Sequence, residues 1–170
     1  MGVDPGLTRC GVGIVEQAVG NQPRFVAAGV VRTPSDHELS RRLLAIHDGL
    51  NAWFDQYRPD AVAVERVFAQ HNLASVTDTA QAAGMALLIA AQRGLPVSTY
   101  TPSEVKAAVT GAGRADKAQV GLMISRVLRL SEAPKPADAA DAIALAICHV
   151  WRGRATQRYA AALAAARRPR

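Results

Sequence analysis

The chain has 170 residues, 49% of them hydrophobic, which is enough for one domain with a buried core. Its 20 Lys and Arg residues exceed its 14 Asp and Glu residues and give a formal net charge of +6 at pH 7. This charge favours a polyanionic partner, either nucleic acid or an acidic membrane surface. No stretch approaches the roughly 20 apolar residues of a membrane span, no signal-peptide pattern is present, and Cys10 and Cys148 form no disulfide framework. We therefore expect a cytoplasmic protein with reduced thiols and no membrane segment.

Apolar periodicity and turn residues predict an alternation of strands and helices along the chain. Three strands with short connections come first and indicate an antiparallel meander. The whole order, β-β-β-α-β-α-β-α-α-α, predicts the α/β class, with a mixed five-stranded sheet flanked by helices. On the first helix, the stripe predicted to face the core consists of Leu43, Leu44, Ile46, Leu50, Trp53 and Phe54. The predicted elements are a strand ending at Asp4, strands 11–17 and 24–32, helix 40–57, strand 61–65, helix 73–92, strand 96–100, and helices 102–110, 117–129 and 136–151.

Four carboxylates occupy positions where the local pattern predicts burial. Asp4 ends the first strand, and Glu65 ends a nearly all-apolar strand. Asp138 and Asp141 lie three residues apart on an otherwise apolar face of the last helix. Two carboxylates ~4 Å apart repel by about 4 kcal/mol at an effective dielectric near 20, so converging acids need protons or cations. Nearby lysines in the sequence supply no obvious partner for each acid, whereas hard oxygen ligands suit Mg²⁺ or Mn²⁺.

Each acid taken alone also has a structural explanation. Asp4 before Pro5-Gly6 is a common turn acid, and Asp138 favours the positive end of a helix dipole. Glu65 is unusual at the end of an apolar strand, and Asp141 on an alanine-rich apolar face is hard to explain structurally. The combination predicts a catalytic centre in which one or two Mg²⁺ ions, with Mn²⁺ as a substitute, assist hydrolysis of a phosphodiester.

Four further residues are candidates for contact with DNA. Phe68 lies in the polar loop after Glu65, where it could stack on an unpaired base for ~1–3 kcal/mol or cap the core. Arg114 and Lys117 lie where a flexible loop opens a helix, an arrangement that suits a phosphate but also an ordinary solvated loop. Lys106 belongs to the same basic region only if its helix and the next one present a common face.

The C-terminal segment, residues 152–170, is rich in alanine and arginine. It is either a sequence-independent phosphate clamp or a solubilising tail. A nucleotide-binding alternative rests on DPGLT at residues 4–8, which resembles the first phosphate motif of actin-like ATPases and sugar kinases, although those proteins need two such domains. The spacing of Gly6, Gly11 and Gly13 fails the dinucleotide-binding pattern, so we interpret these glycines as turn and close-packing residues.

Several segments resemble, in order and spacing, the RuvC family of Holliday-junction resolvases. They are GVDPG at residues 2–6, VERVF at 64–68, TPSEVK at 101–106, the loop 113–117 and ADAADAIALA at 137–146. The resemblance implies an RNase H-like nuclease domain over residues 1–151, followed by a basic tail over residues 152–170. It implies a homodimeric endonuclease that resolves four-way DNA junctions by paired symmetric nicks in homologous recombination and DNA repair, with RuvA and RuvB as partners.

The resemblance also implies roles for individual residues. The four carboxylates become the metal ligands, Phe68 lies near the junction centre, and Lys106 and Lys117 contact the region of the scissile strand. Residues 80–87 of the long helix are the candidate dimer interface, with intramolecular packing as the alternative. The strand before Asp4 is shorter than is usual in the family, and a shortened central strand would lose hydrogen bonds beside this acid. The alternative function is a non-catalytic junction-binding module of the same fold, which would share the basic surface and lack turnover.

Overall fold

A computed structural model describes residues 1–67 and 73–166 of the chain. Its strands are β1 (Gly2–Asp4), β2 (Arg9–Gln17), β3 (Pro23–Arg32), β4 (Val62–Glu65) and β5 (Val97–Tyr100). They form a five-stranded sheet in the order β3-β2-β1-β4-β5. The pairs β1–β2 and β2–β3 are antiparallel, whereas β1–β4 and β4–β5 are parallel. The predicted mixed sheet and its antiparallel meander are therefore confirmed.

Helices cover both faces of this sheet. The described helices are α1 (Leu39–Tyr57), α2 (Leu73–Gln92), α3 (Pro102–Thr110), α4 (Lys117–Leu128) and α5 (Ala137–Ala166), with a 3-10 turn at Val19–Asn21. One apolar core lies between the sheet and α1 and α2, and a second lies between the sheet and α3, α4 and α5. Within residues 1–67 and 73–166, no helix combines the length and apolarity needed to cross a membrane.

The alternation of side chains along the central strands decides which residues face α5. Successive residues of a strand point to opposite faces of the sheet. Val3 packs in the core beneath α1 and α2, and Ala63 packs in the core beneath α5. Asp4 follows Val3, and Glu65 lies two residues after Ala63, so both strand-end acids belong to the α5 side of the sheet.

Two details of the helix predictions are wrong. Leu44 is 59% exposed while Ile46 and Leu50 are fully buried, because Leu44 lies about 200° around the helix from Ile46. In addition, α5 continues to Ala166 instead of ending at residue 151, because the following segment is rich in alanine, the strongest helix former. The predicted boundary between a domain 1–151 and a tail 152–170 lies inside this helix, and the division stays a prediction.

Glycines let α5 lie very close to the middle of the sheet. A Cβ added at Gly2, Gly11 or Gly13 would lie 2.0, 2.1 or 2.7 Å from the nearest backbone atom of α5. A side chain at any of these positions would push the helix away from β1 and β2. A Cβ added at Gly6 would lie 2.4 Å from the carbonyl oxygen of Arg9, within the turn. The interpretation of these glycines as turn and close-packing residues is confirmed.

We expect Gly13→Ala to destabilise the protein by about 1–3 kcal/mol, because a methyl group forced against the backbone of α5 overpacks the interface. Gly121→Ala, in α4, is the matched control. The nearest atom to its added Cβ is 3.5 Å away, and alanine is favoured over glycine inside a helix by roughly 0.5–1 kcal/mol. Urea unfolding of both variants and the parent chain measures these effects. A Gly13→Ala protein as stable as the parent would contradict the close-packing account.

Candidate active site

The edge of the sheet where β1 and β4 end carries two carboxylates side by side. The two strands are parallel, with Val3 opposite Val64. Asp4 and Glu65 are the next residues of these strands, so they lie at the same edge and face α5. Both are half-buried, which is the environment in which a carboxylate needs a proton or a cation.

The beginning of α5 brings two more carboxylates to this edge. Asp138 lies in the first turn of the helix, and Asp141 lies three residues later. Gly11, the cross-strand partner of Asp4, sits directly beneath Asp138: an added Cβ would lie 2.1 Å from its carbonyl oxygen. This glycine therefore allows the helix acids to approach the strand acids. The next residues of α5, 142–148, are buried, so the acids stand at the rim of the core.

Burial and mutual repulsion shift the ionisation of the strand-end acids. Loss of water raises the pKa of Asp4 to about 8. The negative charges of the other three carboxylates add to this rise, and the ammonium of Lys117 opposes it. Burial, followed by the charge of Asp141, also raises the pKa of Glu65. The four acids are thus close enough to act on one another, and nearby basic groups balance their charge only in part.

Two of the acids have basic partners from other parts of the chain. Nε of Arg9 donates to Oδ2 of Asp138 at 2.7 Å, and Nζ of Lys117 donates to Oδ2 of Asp141 at 3.3 Å. The sequence showed no obvious lysine partner close to each acid along the chain, and the structure supplies these two partners from 129 and 24 residues away. The two strand-end acids make no ion pair within the part of the chain that the structure describes.

The donor types at this edge fit a divalent cation. Four carboxylates offer hard oxygen ligands, and Mg²⁺ or Mn²⁺ relieves the repulsion among them. Among the described side chains, however, no group of three or more His, Cys, Asp or Glu residues is placed so that it could hold a metal ion as it stands. The two helix acids are partly exposed, with 28% and 34% of the side chain accessible, so solvent can reach both carboxylates.

The structure brings the two candidate lysines together. Lys106 lies on α3 and Lys117 is the first residue of α4, and both lysine charges act to lower the pKa of Glu65. The two helices therefore do present a common basic region beside the carboxylates. Arg114 is exposed in the loop before α4. Phe68, the candidate base-stacking residue, lies outside the described residues.

The N-terminus of α4 is less suited to a phosphate than the sequence predicts. Oδ1 of Asp116 accepts a hydrogen bond from the backbone nitrogen of Gln119 at 2.8 Å, and the backbone nitrogen of Asp116 donates to Oε1 of Gln119 at 3.0 Å. This capping box occupies one of the free amides and places a negative charge at the helix end. The side chains of Arg114 and Lys117, rather than the helix amides, are therefore the groups available to donate hydrogen bonds to a phosphate.

Arg9 is a site residue that the sequence analysis missed. A signal for it was present, because alternation along β2 places Arg9 on the same face as Gly11 and Gly13. These glycines lie beneath α5, so an arginine two positions before them faces the beginning of that helix. The pattern contains no information about its partner, Asp138.

Comparison with known proteins finds relatives over most of the chain. The family model described as Crossover junction endodeoxyribonuclease RuvC matches residues 1–149. The protein of that name from Cutibacterium acnes is 66% identical over 170 residues, covering 100% of this chain and 87% of the relative. The one from Thermobifida fusca is 64% identical over 162 residues, covering 95% and 89%. The solved structure of T. thermophilus RuvC in complex with Holliday junction substrate is 35% identical, with a TM-score of 0.85 and coverage of 91% of this chain and 94% of that one.

The raised pKa of Asp4 predicts a pH dependence of stability in metal-free protein. The folded state keeps a proton that the unfolded chain releases above its ordinary value of 3.8, so the contribution of Asp4 to stability is lost as pH rises from 3.8 to about 8. Burial lowers the pKa of the N-terminal amine of Met1 to about 6, and this group acts in the opposite direction. Asp4→Asn removes only the Asp4 contribution, so the stability of this variant relative to the parent chain should rise with pH over this window. Thermal unfolding in EDTA between about pH 5 and about pH 9 compares the two proteins over the relevant window. Equal slopes in both would contradict the shift.

Proposed function

Because the chain belongs to the RuvC family of crossover junction endodeoxyribonucleases, we propose that its four clustered carboxylates are the centre at which it cuts four-way DNA junctions. Membership makes the protein a metal-dependent, DNA-binding nuclease of recombination with an RNase H-like fold. The observation that carries the catalytic proposal is the convergence of four acids at one sheet edge, where burial, followed by the charges of the other three carboxylates, raises the pKa of Asp4 to about 8. A site built only to bind DNA gains nothing from such a cluster, since carboxylates repel phosphates.

In this proposal, one or two Mg²⁺ ions, with Mn²⁺ as a substitute, are held by Asp4, Glu65, Asp138 and Asp141. When bound there, such an ion would lower the pKa of a water so that the water could attack a phosphodiester at neutral pH, and it would stabilise charge on the leaving oxygen. The parallel pairing of β1 with β4 fixes the backbone of the two strand-end acids. The side chains of the two helix acids are 28% and 34% exposed, so they are accessible to a ligand that approaches from solvent.

Basic side chains around the carboxylates hold the DNA strand against this negative centre. The positive charges of Lys106 and Lys117 both act to lower the pKa of Glu65. Lys117 is 79% exposed, so its ammonium can contact a phosphate beside the carboxylates. Arg114 extends the same surface from the exposed loop before α4. We assign Phe68 to a base near the junction centre on the family resemblance alone.

Two equivalent cuts require two equivalent active sites, so we propose a homodimer with two-fold symmetry. The candidate surface is the exposed side of α2. Ala80 and Leu87 are exposed there and Gly84 is half-buried, which supports their use in an interface. Ala83 is only 7% exposed and packs in the protomer's own core. The proposed setting is the cytoplasm, with RuvA and RuvB as partners in branch migration.

The proposal predicts paired nicks in a labelled mobile four-way junction with Mg²⁺, none in EDTA and none in a matched duplex. Asp141→Asn should bind the junction like the parent chain but cut it at least ~100-fold more slowly, the upper end of the range for groups that support a metal site. Gel assays of binding and of cleavage on the same labelled junction separate the two effects.

Glu16→Gln is the matched control for this variant, because Glu16 is an exposed carboxylate at the far end of β2, ion-paired with Arg24. It should cut like the parent chain. Continued cutting by Asp141→Asn would show that the carboxylate assignment is wrong. Binding without cutting by the parent chain would favour the non-catalytic junction-binding module.

The dimer proposal predicts that Leu87→Glu weakens self-association. A charge placed in an apolar interface without a partner should raise the dimer dissociation constant at least ~10-fold, equivalent to about 1.4 kcal/mol. Leu122→Glu is the control, since Leu122 is 52% exposed on α4, away from this surface, whereas Leu87 is 40% exposed. Sedimentation equilibrium measures both. An unchanged dimer dissociation constant in Leu87→Glu would show that the interface does not lie on this side of α2.

A further inference from the structure

We propose that Arg9 is a positioning residue for Asp138, whose carboxylate it holds by one oxygen so that the other is presented to the metal. The inference rests on the proposed function, because it takes Asp138 as a metal ligand. It adds a role for a residue outside the carboxylate cluster and outside the basic region formed by α3 and α4.

The contact between the two side chains has an uneven geometry. Nε of Arg9 donates to Oδ2 of Asp138 at 2.7 Å, and Nη2 of Arg9 lies 2.6 Å from the same oxygen. A fork-to-fork pair would use both carboxylate oxygens, one for each nitrogen. Here both nitrogens converge on Oδ2, so the guanidinium does not occupy Oδ1. The contact therefore fixes the orientation of the carboxylate and leaves one of its oxygens for another ligand.

The backbone on both sides of the contact is firmly placed. Arg9 begins β2 and is paired with Arg32 of β3, so the ladder holds its Cα in position. Asp138 is held over β2 by the close approach of α5 at Gly11. A carboxylate in the first turn of a helix rotates freely unless another group restrains it, and ligands are held in productive geometry by such supporting contacts.

The charges around Arg9 also indicate that its contact with Asp138 is a fixed feature of the site. Arg32, exposed on the neighbouring strand, lies directly opposite Arg9 in the ladder, and like charges in this position destabilise a sheet. The carboxylate of Asp138 offsets that repulsion. Exposure separates this pair from the second ion pair of the site: the side chain of Arg9 is 40% exposed, whereas that of Lys117 is 79% exposed.

Direct binding of Mn²⁺ to the DNA-free protein, followed by electron paramagnetic resonance, tests the proposal without relying on cleavage. Arg9→Gln should weaken Mn²⁺ binding by about 10-fold, as loss of a supporting contact to a metal ligand does. Arg9→Lys, which keeps the charge but cannot place two nitrogens on one oxygen, should lose less. Arg24→Gln is the matched control, because it breaks an exposed arginine–carboxylate pair on the same two strands, ~23 Å along β2 from Arg9. It should bind Mn²⁺ like the parent chain.

A double-mutant cycle shows whether Arg9 acts through Asp138. In an Asp138→Asn background, Arg9→Gln should cause no further loss of Mn²⁺ binding, since the carboxylate that Arg9 orients is already gone. Unchanged or tighter binding in Arg9→Gln would overturn the proposal, the second result because it would mean that Arg9 competes with the metal. If Asp138→Asn and Asp141→Asn bind Mn²⁺ like the parent chain, the proposed metal site itself is wrong. If they lose binding while Arg9→Gln does not, only the role of Arg9 is wrong.

Discussion

The close contact between α5 and the centre of the sheet is the constraint on which the rest of the structure depends. Gly2, Gly11 and Gly13 leave no Cβ between β1, β2 and the backbone of this helix. The first turn of α5 can therefore pack close to the edge of the sheet where β1 and β4 end. With larger residues beneath it, the helix would stand away from the sheet, and the helix acids would lie farther from the strand acids. One packing requirement thus builds both the core and the candidate active site.

The convergence of the four carboxylates suits a metal site, but the repulsion among them lowers the stability of the metal-free protein. Burial and the neighbouring carboxylates raise the pKa of Asp4 to about 8, so near neutral pH the folded state favours a proton there. Arg9 and Lys117 partner the helix acids, but the strand-end acids depend on a proton or an external cation. A metal that binds only the folded state would stabilise it by mass action. The ligand that relieves the repulsion is then also the one that the proposed hydrolysis needs.

The side chains of Arg9 and Lys117, which lie beside the two helix acids, are suited to different roles. The guanidinium of Arg9 is planar, and its donors are fixed relative to one another, so it can orient a carboxylate. The ammonium of Lys117 is mobile and largely exposed, so it can leave Asp141 for a phosphate. Lys106 approaches from α3 on the side of Glu65. The basic surface proposed for DNA therefore comes from α3 and α4, whereas the contact proposed to orient Asp138 comes from β2.

By itself, the amino-acid sequence determined the order of the elements, the limits of α2 and α3, and the set of four acids in otherwise apolar segments. Apolar periodicity, turn residues and the start of α3 at Pro102 are local features, and local features are what a sequence displays directly. Only the tertiary structure decided that Leu44 is exposed, that Lys106 and Lys117 share one region, and that Arg9 contacts Asp138. Arg9 and Asp138 lie 129 residues apart, and their contact depends on strand order, on register and on the depth at which α5 packs. None of these is contained in the periodicity of a single segment.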